Sequence, residues 1–266
     1  IVISSGNDAT VAIAEHIAGS EAAFVDLMNR YAEEMGLTGT HFENSHGLPH
    51  PEHLSTARNL AAMAAAAIRV HPERYAVYKE QSYTYNDITQ YNRNHLLRED
   101  DSVDGLKTGY TSVAGYGLVA SAKREGMRLI SVVMGSSSPS SRKSETRRLL
   151  NYGFRFYETA TPLRGGTELI QGRIWKGQAP QVALGVTTDV VLTLSRSAAE
   201  ITPSAEIDTP LIAPLKAGDV VGRVVLTRAG EFVGEAPLEV LQAVEPAGFF
   251  ARLWDTILLW FQQLLG

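Results

Sequence analysis

The feature that most restricts how this 266-residue chain can fold is a change in hydrophobic period near Thr161. Before it, apolar residues recur at helical spacing or in two longer runs. After it, short β-branched runs at 167–175, 181–186, 189–195, 219–227 and 231–243 are separated by Gly or Pro. That second texture is the spacing of an all-β sandwich or small barrel. A chain of this length holds one large domain or two ordinary ones. The switch therefore predicts two, 1–160 with helices around a sheet and 161–248 all-β, hinged near Pro162–Gly166.

Within the first part, Ser20 before Glu21 reads as an N-cap. Phe24, Leu27, Met28, Tyr31 and Met35 form one stripe, and Gly36 is a stop. Ser55 opens a second helix through the Ala-rich 61–67, ending near Pro72. Ser82–Tyr85 and Ile88–Tyr91 flank Asn86-Asp87 as a hairpin. Tyr116–Ala122 and Met127–Met134 read as two central strands, and a Ser-rich loop at 136–141 leads to a helix near 143–158. The tail, 249–266, is amphipathic. Arg252, Asp255, Thr256, Gln262 and Gln263 share a stripe interrupted only by Leu259, and aromatic and aliphatic residues cover the rest. Such a helix suits a membrane interface, with docking on protein as the alternative.

Composition removes several function classes. Hydrophobic residues are 44% and charged residues 20%, enough to build a core and too apolar for disorder. With no Cys there is no disulfide framework, Cys-ligated zinc or thiol nucleophile. A net charge of −5 without a long basic run excludes a nucleic-acid footprint. No uncharged apolar run reaches the length of a membrane span.

Two short motifs carry the chemistry. Ser5-Gly6-Asn7 opens the chain, and Lys107-Thr108-Gly109 precedes the apolar strands. A second serine hydroxyl, Ser5, can relay a proton toward a leaving amine, and the Asn7 carboxamide can bond a lysine and a substrate amide. Lys107 adds positive potential that favours deprotonated neighbours and anionic substrates. Thr108 can donate to a terminal carboxylate, and Gly109 lets a substrate backbone approach an edge strand. In a chain this long Ser-x-Asn is expected by chance ~1 time, and Lys-Thr-Gly ~0.1 times. On their own, the first reads equally as a turn or cap and the second as a strand-end turn.

The surroundings decide between these readings. Val103–Thr111 with Ala114-Gly115-Tyr116 strongly resembles the serine-type D-alanyl-D-alanine carboxypeptidases, the low-molecular-mass penicillin-binding proteins, most of all numbers five and six. The likeness includes Ser5–Ala9, Thr40-His41-Phe42, His46-Gly47-Leu48, Asn92-Arg93-Asn94 and Gly153–Phe156, and runs through the β region and tail. It implies an α+β fold: an incomplete β-lactamase/transpeptidase-like catalytic domain at 1–160, a β-rich sandwich-like domain at 161–248 and a membrane-anchoring helix at 249–266. It implies a peptidoglycan stem peptide ending in D-Ala-D-Ala as substrate, an acyl-serine intermediate and no cofactor or metal. It also implies β-lactams as covalent inhibitors, and a peripheral place on the periplasmic face of the bacterial inner membrane. By position, Ser5, Asn7 and Lys107 are catalytic, while Thr108, Gly109, Arg142, Arg93 and His46 meet substrate, Arg142 as a guanidinium fork for a carboxylate.

One departure matters. The family's nucleophilic Ser-x-x-Lys is absent upstream of Ser5. The formal match Ser140-Ser141-Arg142-Lys143 follows Lys107 in a Ser-rich loop, where it is a decoy. The expectation is therefore an enzyme lacking its N-terminal part, inactive by itself. Two alternatives stand beside it. One is a non-catalytic, membrane-tethered module that binds peptidoglycan or a partner. The other is a metal-dependent hydrolase using His46, His50, Glu52 and His53, although Pro49 and Pro51 deny those histidines helical spacing.

Overall fold

Capping residues set the first helices. The computed structural model describes residues 1–208 and 210–265, the side chains of 262–265 excepted. α1 (Asn7–Ala18) starts at Gly6 and ends on Gly19, whose φ of 83° suits a residue without Cβ. α2 (Glu21–Glu34) is capped by Ser20, which accepts the Ala23 N–H at 3.1 Å. Its expected stripe is half-buried at Phe24, Leu27 and Met28 and exposed at Tyr31 and Met35. α3 (Ala57–Val70) begins one residue later than expected. Thr56 is its cap, and the Ser55 hydroxyl instead meets that of Thr40 at 2.9 Å. Pro72 stops α3 and opens the short α4 (Pro72–Tyr75).

β1 (Ser82–Tyr85) and β2 (Ile88–Tyr91) form the hairpin around Asn86 and Asp87, both left-handed at φ 49° and 60°. Next come β3 (Val103–Thr111), β4 (Gly115–Arg124) and β5 (Met127–Ser136), an antiparallel sheet in the order β3-β4-β5. Of the two strands expected to be central only β4 is, and β5 lies at an edge among the described residues. β3 carries Lys107-Thr108-Gly109 and escapes a run-based reading because Asp104, Gly105 and Lys107 break its apolar pattern.

Alternation along β4 serves two layers. Leu118, Ala120 and Ala122 pack with Val103 and with Leu150 of α5 (Pro139–Phe156). Val119, with Leu106 and Ile130, packs against Ala64 of α3 and Tyr75. Gly105 is required there, since a Cβ would stand 2.5 Å from the Tyr75 hydroxyl. That hydroxyl donates to Asp104 at 2.9 Å, and Arg128 clamps the same carboxylate at 2.7 Å. α3 and α5 thus hold the strand that bears the lysine from both sides.

The break between units falls between Phe156 and Tyr157, four residues before the expected boundary. The reason is β6 (Tyr157–Leu163), which leaves the helix directly and pairs with β9 (Val190–Ser195). Around this pair run β7 (Glu168–Trp175), β8 (Gln181–Gly185), β10 (Ile201–Ile207), β11 (Leu211–Ile212), β12 (Val220–Arg228) and β13 (Glu231–Val240). They form a sheet of order β10-β12-β13-β8-β7-β11, with β11 parallel to β7. Inward residues of both sheets share one core around Leu184, Val224, Leu226, Leu238 and Val240, all at 0% exposure, with Leu163, Val190 and Leu192 from the smaller pair.

α6 (Phe249–Leu265) closes the second unit. Leu259 is buried, and the Asp255 carboxylate accepts the Lys176 N–H at 2.5 Å. Asp255 and Leu259 are therefore the members of the stripe that meet the protein, while Arg252 and Thr256 stay exposed. Phe250, Leu253, Trp254, Ile257 and Trp260 face outward, exposed by 40–84%. The side chains of Gln262, Gln263, Leu264 and Leu265 lie outside the described residues. No described helix is long and apolar enough to cross a membrane.

Leu184→Ala should lower unfolding stability of the second unit by about 2–5 kcal/mol, the range for emptying a fully buried leucine site. Urea denaturation followed by Trp fluorescence measures it, and a loss below ~1 kcal/mol would contradict a core centred there.

Candidate active site

The site forms where the N-terminal turn meets the edge of β3 that pairs with no strand among the described residues. Ser5 sits in the left-handed region at φ 59°, held by its own N–H on the Ile1 carbonyl at 2.8 Å. For a residue with a Cβ that conformation costs on the order of 1 kcal/mol. It brings Ser5 Oγ to the Lys107 ammonium, which donates at 2.5 Å and donates again to the Thr108 carbonyl at 2.8 Å. Asn7 is the first residue of α1, exposed, its carboxamide without a partner among the described residues. The turn-and-cap role of Ser5-Gly6-Asn7 and its place beside Lys107 therefore coexist.

Arg142 reaches the same place from α5, whose first turn is capped by Ser138 accepting the Ser141 N–H at 3.0 Å. Its side chain is buried at 8% exposure. Nη1 donates to the carbonyls of Gly109 and Gly117 at 3.3 and 3.2 Å, and Nη2 to that of Arg93 at 3.5 Å. Of five guanidinium N–H donors, about two remain for anything else. Arg142 is thus a clamp on the β3–β4 pair as well as a charge. Arg93 itself is exposed, its side chain unpartnered among the described residues. Thr108 is buried, and what it shows to Lys107 is its carbonyl. A Cβ on Gly109 would meet nothing within 4 Å, so the strand edge beside the lysine is open.

Among the described residues no carboxylate is paired with these cations. Burial, then the charges of Arg93 and Arg142, bring the Lys107 ammonium down to about 8. A cationic, partly dehydrated recess beside an open strand edge can accept an anionic peptide end as an added strand.

The remaining expected residues lie in other contacts. His46 has Glu21 at 3.6 Å, and its Nδ1 accepts the Leu48 N–H at 3.2 Å. Glu21 is held low mainly by the hydroxyl and N–H of Ser45. His53 and His50 each use Nδ1 on a backbone N–H, from Glu43 and Glu52. Among the described residues no group of three His, Asp or Glu is placed to hold a metal. Lys143 donates to Glu99 at 2.6 Å, so the Ser140–Lys143 match is engaged elsewhere. Four partners escape sequence reading: Gln90, whose Oε1 accepts from Ser4 Oγ at 2.7 Å, and the three carbonyls under Arg142. Spacing along the chain carries no signal for contacts of that kind.

Residues 1–138 match the family model of the D-alanyl-D-alanine carboxypeptidases, and 157–246 that of the penicillin-binding protein 5 C-terminal domain. The chain belongs to the D-alanyl-D-alanine carboxypeptidase family. It is 44% identical to D-alanyl-D-alanine carboxypeptidase DacC of Escherichia coli K12, over 100% of this chain and 67% of that protein. It is 34% identical to the carboxypeptidase DacF of Bacillus subtilis, over 98% of this chain and 68% of that one. Penicillin-binding protein 5 of Haemophilus influenzae superposes with a TM-score of 0.84 at 44% identity, covering 91% of this chain and 71% of that structure. The fold is therefore the carboxypeptidase catalytic fold with a β-sheet domain and a C-terminal helix, and the class is serine-type D-Ala-D-Ala carboxypeptidase.

One expectation is corrected. The resemblance implies a carboxypeptidase lacking its N-terminal part. The matches run along the whole chain and over about two thirds of the curated relatives. They fix how much of the relatives' length is spanned and do not place the remainder at the N-terminal side, so that reading is withdrawn.

The lowered Lys107 has a stability consequence. The folded state releases its proton near 8, whereas an unfolded lysine holds it to about 10.4. Between those values the unfolded chain binds more protons, so stability rises with pH there, and below 8 the full penalty is present. Lys107→Met should raise the melting midpoint at pH 7 by about 2–4 °C, the gain shrinking toward pH 10. Calorimetry at pH 7 and 10 measures it, and an equal change at both would sink the account.

Proposed function

We propose that the protein is a D,D-carboxypeptidase that removes the terminal D-Ala from peptidoglycan pentapeptide stems through an acyl-serine intermediate. The observation that carries this reading is the Lys107–Ser5 hydrogen bond at the free edge of β3, beside Arg142. The substrate adds along β3 past Gly109, and its carboxylate is drawn to Lys107 with the remaining donors of Arg142, Arg93 and the Thr108 region. Asn7 is free to bond the substrate amide.

In acylation a serine oxygen adds to the carbonyl carbon of the penultimate D-Ala. Its proton passes through the Ser5 hydroxyl to the leaving nitrogen, the C–N bond breaks and D-Ala departs. Water then cleaves the ester by the same proton path in reverse. Ser5 is the relay in this scheme. Its oxygen already faces an ammonium that keeps it hydrogen-bonded while protons move. The attacking serine is a further group, since Ser140 is not at this site. A β-lactam ring presents the same acyl carbon beside a carboxylate, which makes it a covalent inhibitor.

In the full-length gene product a fluorescent penicillin should label covalently. Lys107→Ala should slow labelling by about 10²-fold or more, the scale of removing one electrostatic contributor in an active site. Undiminished labelling in that variant would overturn the assignment of Lys107. No labelling of the wild type would leave the peptidoglycan-binding module.

We further propose that α6 holds the protein peripherally on the periplasmic face of the inner membrane. The support is its outward Phe250, Leu253, Trp254, Ile257 and Trp260. Deleting 249–266 should move the protein from the membrane to the soluble fraction on ultracentrifugation. Because the apolar face dominates, high salt alone should not. Retention after the deletion would restore the docked-helix reading.

A further inference from the structure

Both strands of the β1–β2 hairpin are exposed along their whole length. Its register sets Tyr83 opposite Gln90 and Tyr85 opposite Ile88, so these four side chains share a face. The other face carries Thr84 and Thr89, whose hydroxyls lie 2.9 Å apart, and Tyr91, whose ring lies against Arg98. On the first face Gln90 accepts from Ser4, the residue before the Ser5 that holds Lys107. Tyr83, Tyr85 and Ile88 continue that face outward at 57%, 65% and 65% exposure.

A two-stranded hairpin is marginal by itself. This one is pinned at its base by side-chain amides, those of Asn92 and Asn94 buried. Asn92 Nδ2 donates to the Glu80 carbonyl at 2.9 Å, and Asn94 Nδ2 to the Gly105 carbonyl at 3.1 Å, while Gln81 Nε2 reaches Leu97 O at 3.0 Å. Gly105 belongs to β3, two residues before Lys107. The apolar face and the lysine therefore ride on one framework, joined a second time through Ser4. Tyr83, Tyr85 and Ile88 are thus three large apolar groups gathered on one exposed face whose backbone is anchored beside the site, which suits a ligand surface.

We propose that Tyr83, Tyr85 and Ile88 form a ledge that binds the acyl side of the substrate, the peptide upstream of the scissile bond. This rests on the carboxypeptidase reading. A peptide whose carboxylate is drawn to Lys107 and Arg142 extends away from the cations. Its upstream aliphatic carbons need apolar cover, and the ledge is exposed apolar surface tied directly to the Ser5 turn. The tyrosine rings and Ile88 supply that cover without competing for the peptide backbone, which pairs with β3.

The test compares a stem pentapeptide with an N-acyl-D-Ala-D-Ala dipeptide in the full-length gene product. With Tyr83, Tyr85 and Ile88 all changed to Ala, kcat/KM on the pentapeptide should fall about tenfold, mainly through KM. The dipeptide should change less than twofold. Tyr83→Phe with Tyr85→Phe should retain the wild-type preference, since the rings and not the hydroxyls do the binding. Equal losses on both substrates would mean a merely structural hairpin and overturn the ledge, as would no loss on the pentapeptide. A wild type that turns over neither peptide and takes no penicillin would instead remove the carboxypeptidase reading, and the ledge with it.

Discussion

Everything around the site depends on keeping one ammonium partly out of water without a carboxylate beside it. A buried Lys–Asp pair would be less costly, but it would cancel the potential that draws in an anionic substrate. Here Lys107 is satisfied by a hydroxyl and a carbonyl, groups that accept its hydrogens without neutralising its charge. That choice goes with Ser5 in a left-handed turn and with an edge of β3 that pairs with no strand among the described residues. The acidic residues nearby in sequence are kept busy elsewhere, Asp104 by Arg128 and Tyr75, and Asp100 by Arg124 and Ser102.

Arg142 solves the companion problem of rigidity. By donating to carbonyls on β3, on β4 and at Arg93, it fastens three segments with one planar group. Lysine could not do this, having a point charge in place of a fork. The same contacts explain why an arginine can be buried in this helix: three of its five N–H donors meet carbonyls.

Much of this was legible in the sequence, unevenly. The hairpin at 82–91, the caps near Ser20 and Thr56, and the all-β texture after 161 follow from local rules, so local residues reveal them. β3 did not follow, because its residues are chosen for the site and break the alternation that marks a strand. β6, β10 and β11 were hidden for a related reason: Glu158, Thr159 and Thr161, Pro203 and Ser204, and the two-residue β11 give no apolar run to read. The motifs pointed to Ser5 and Lys107, and the geometry joins them. Local sequence could not show that Arg142 spends three donors on the backbone, or that His46 belongs to the Glu21–Ser45 corner, since both are settled by residues distant in the chain.

α6 meets the protein through Asp255 and Leu259 and turns Phe250, Trp254 and Trp260 outward. The bond from the Lys176 N–H to Asp255 fixes rotation about the helix axis. Burial of Leu259 prevents the helix from rolling to hide its aromatics. The helix therefore confers heading as well as adhesion. Any layer that receives Phe250, Trp254 and Trp260 is met by the end of the β domain that carries Lys176, so the domain arrives in one attitude instead of tumbling on a tether.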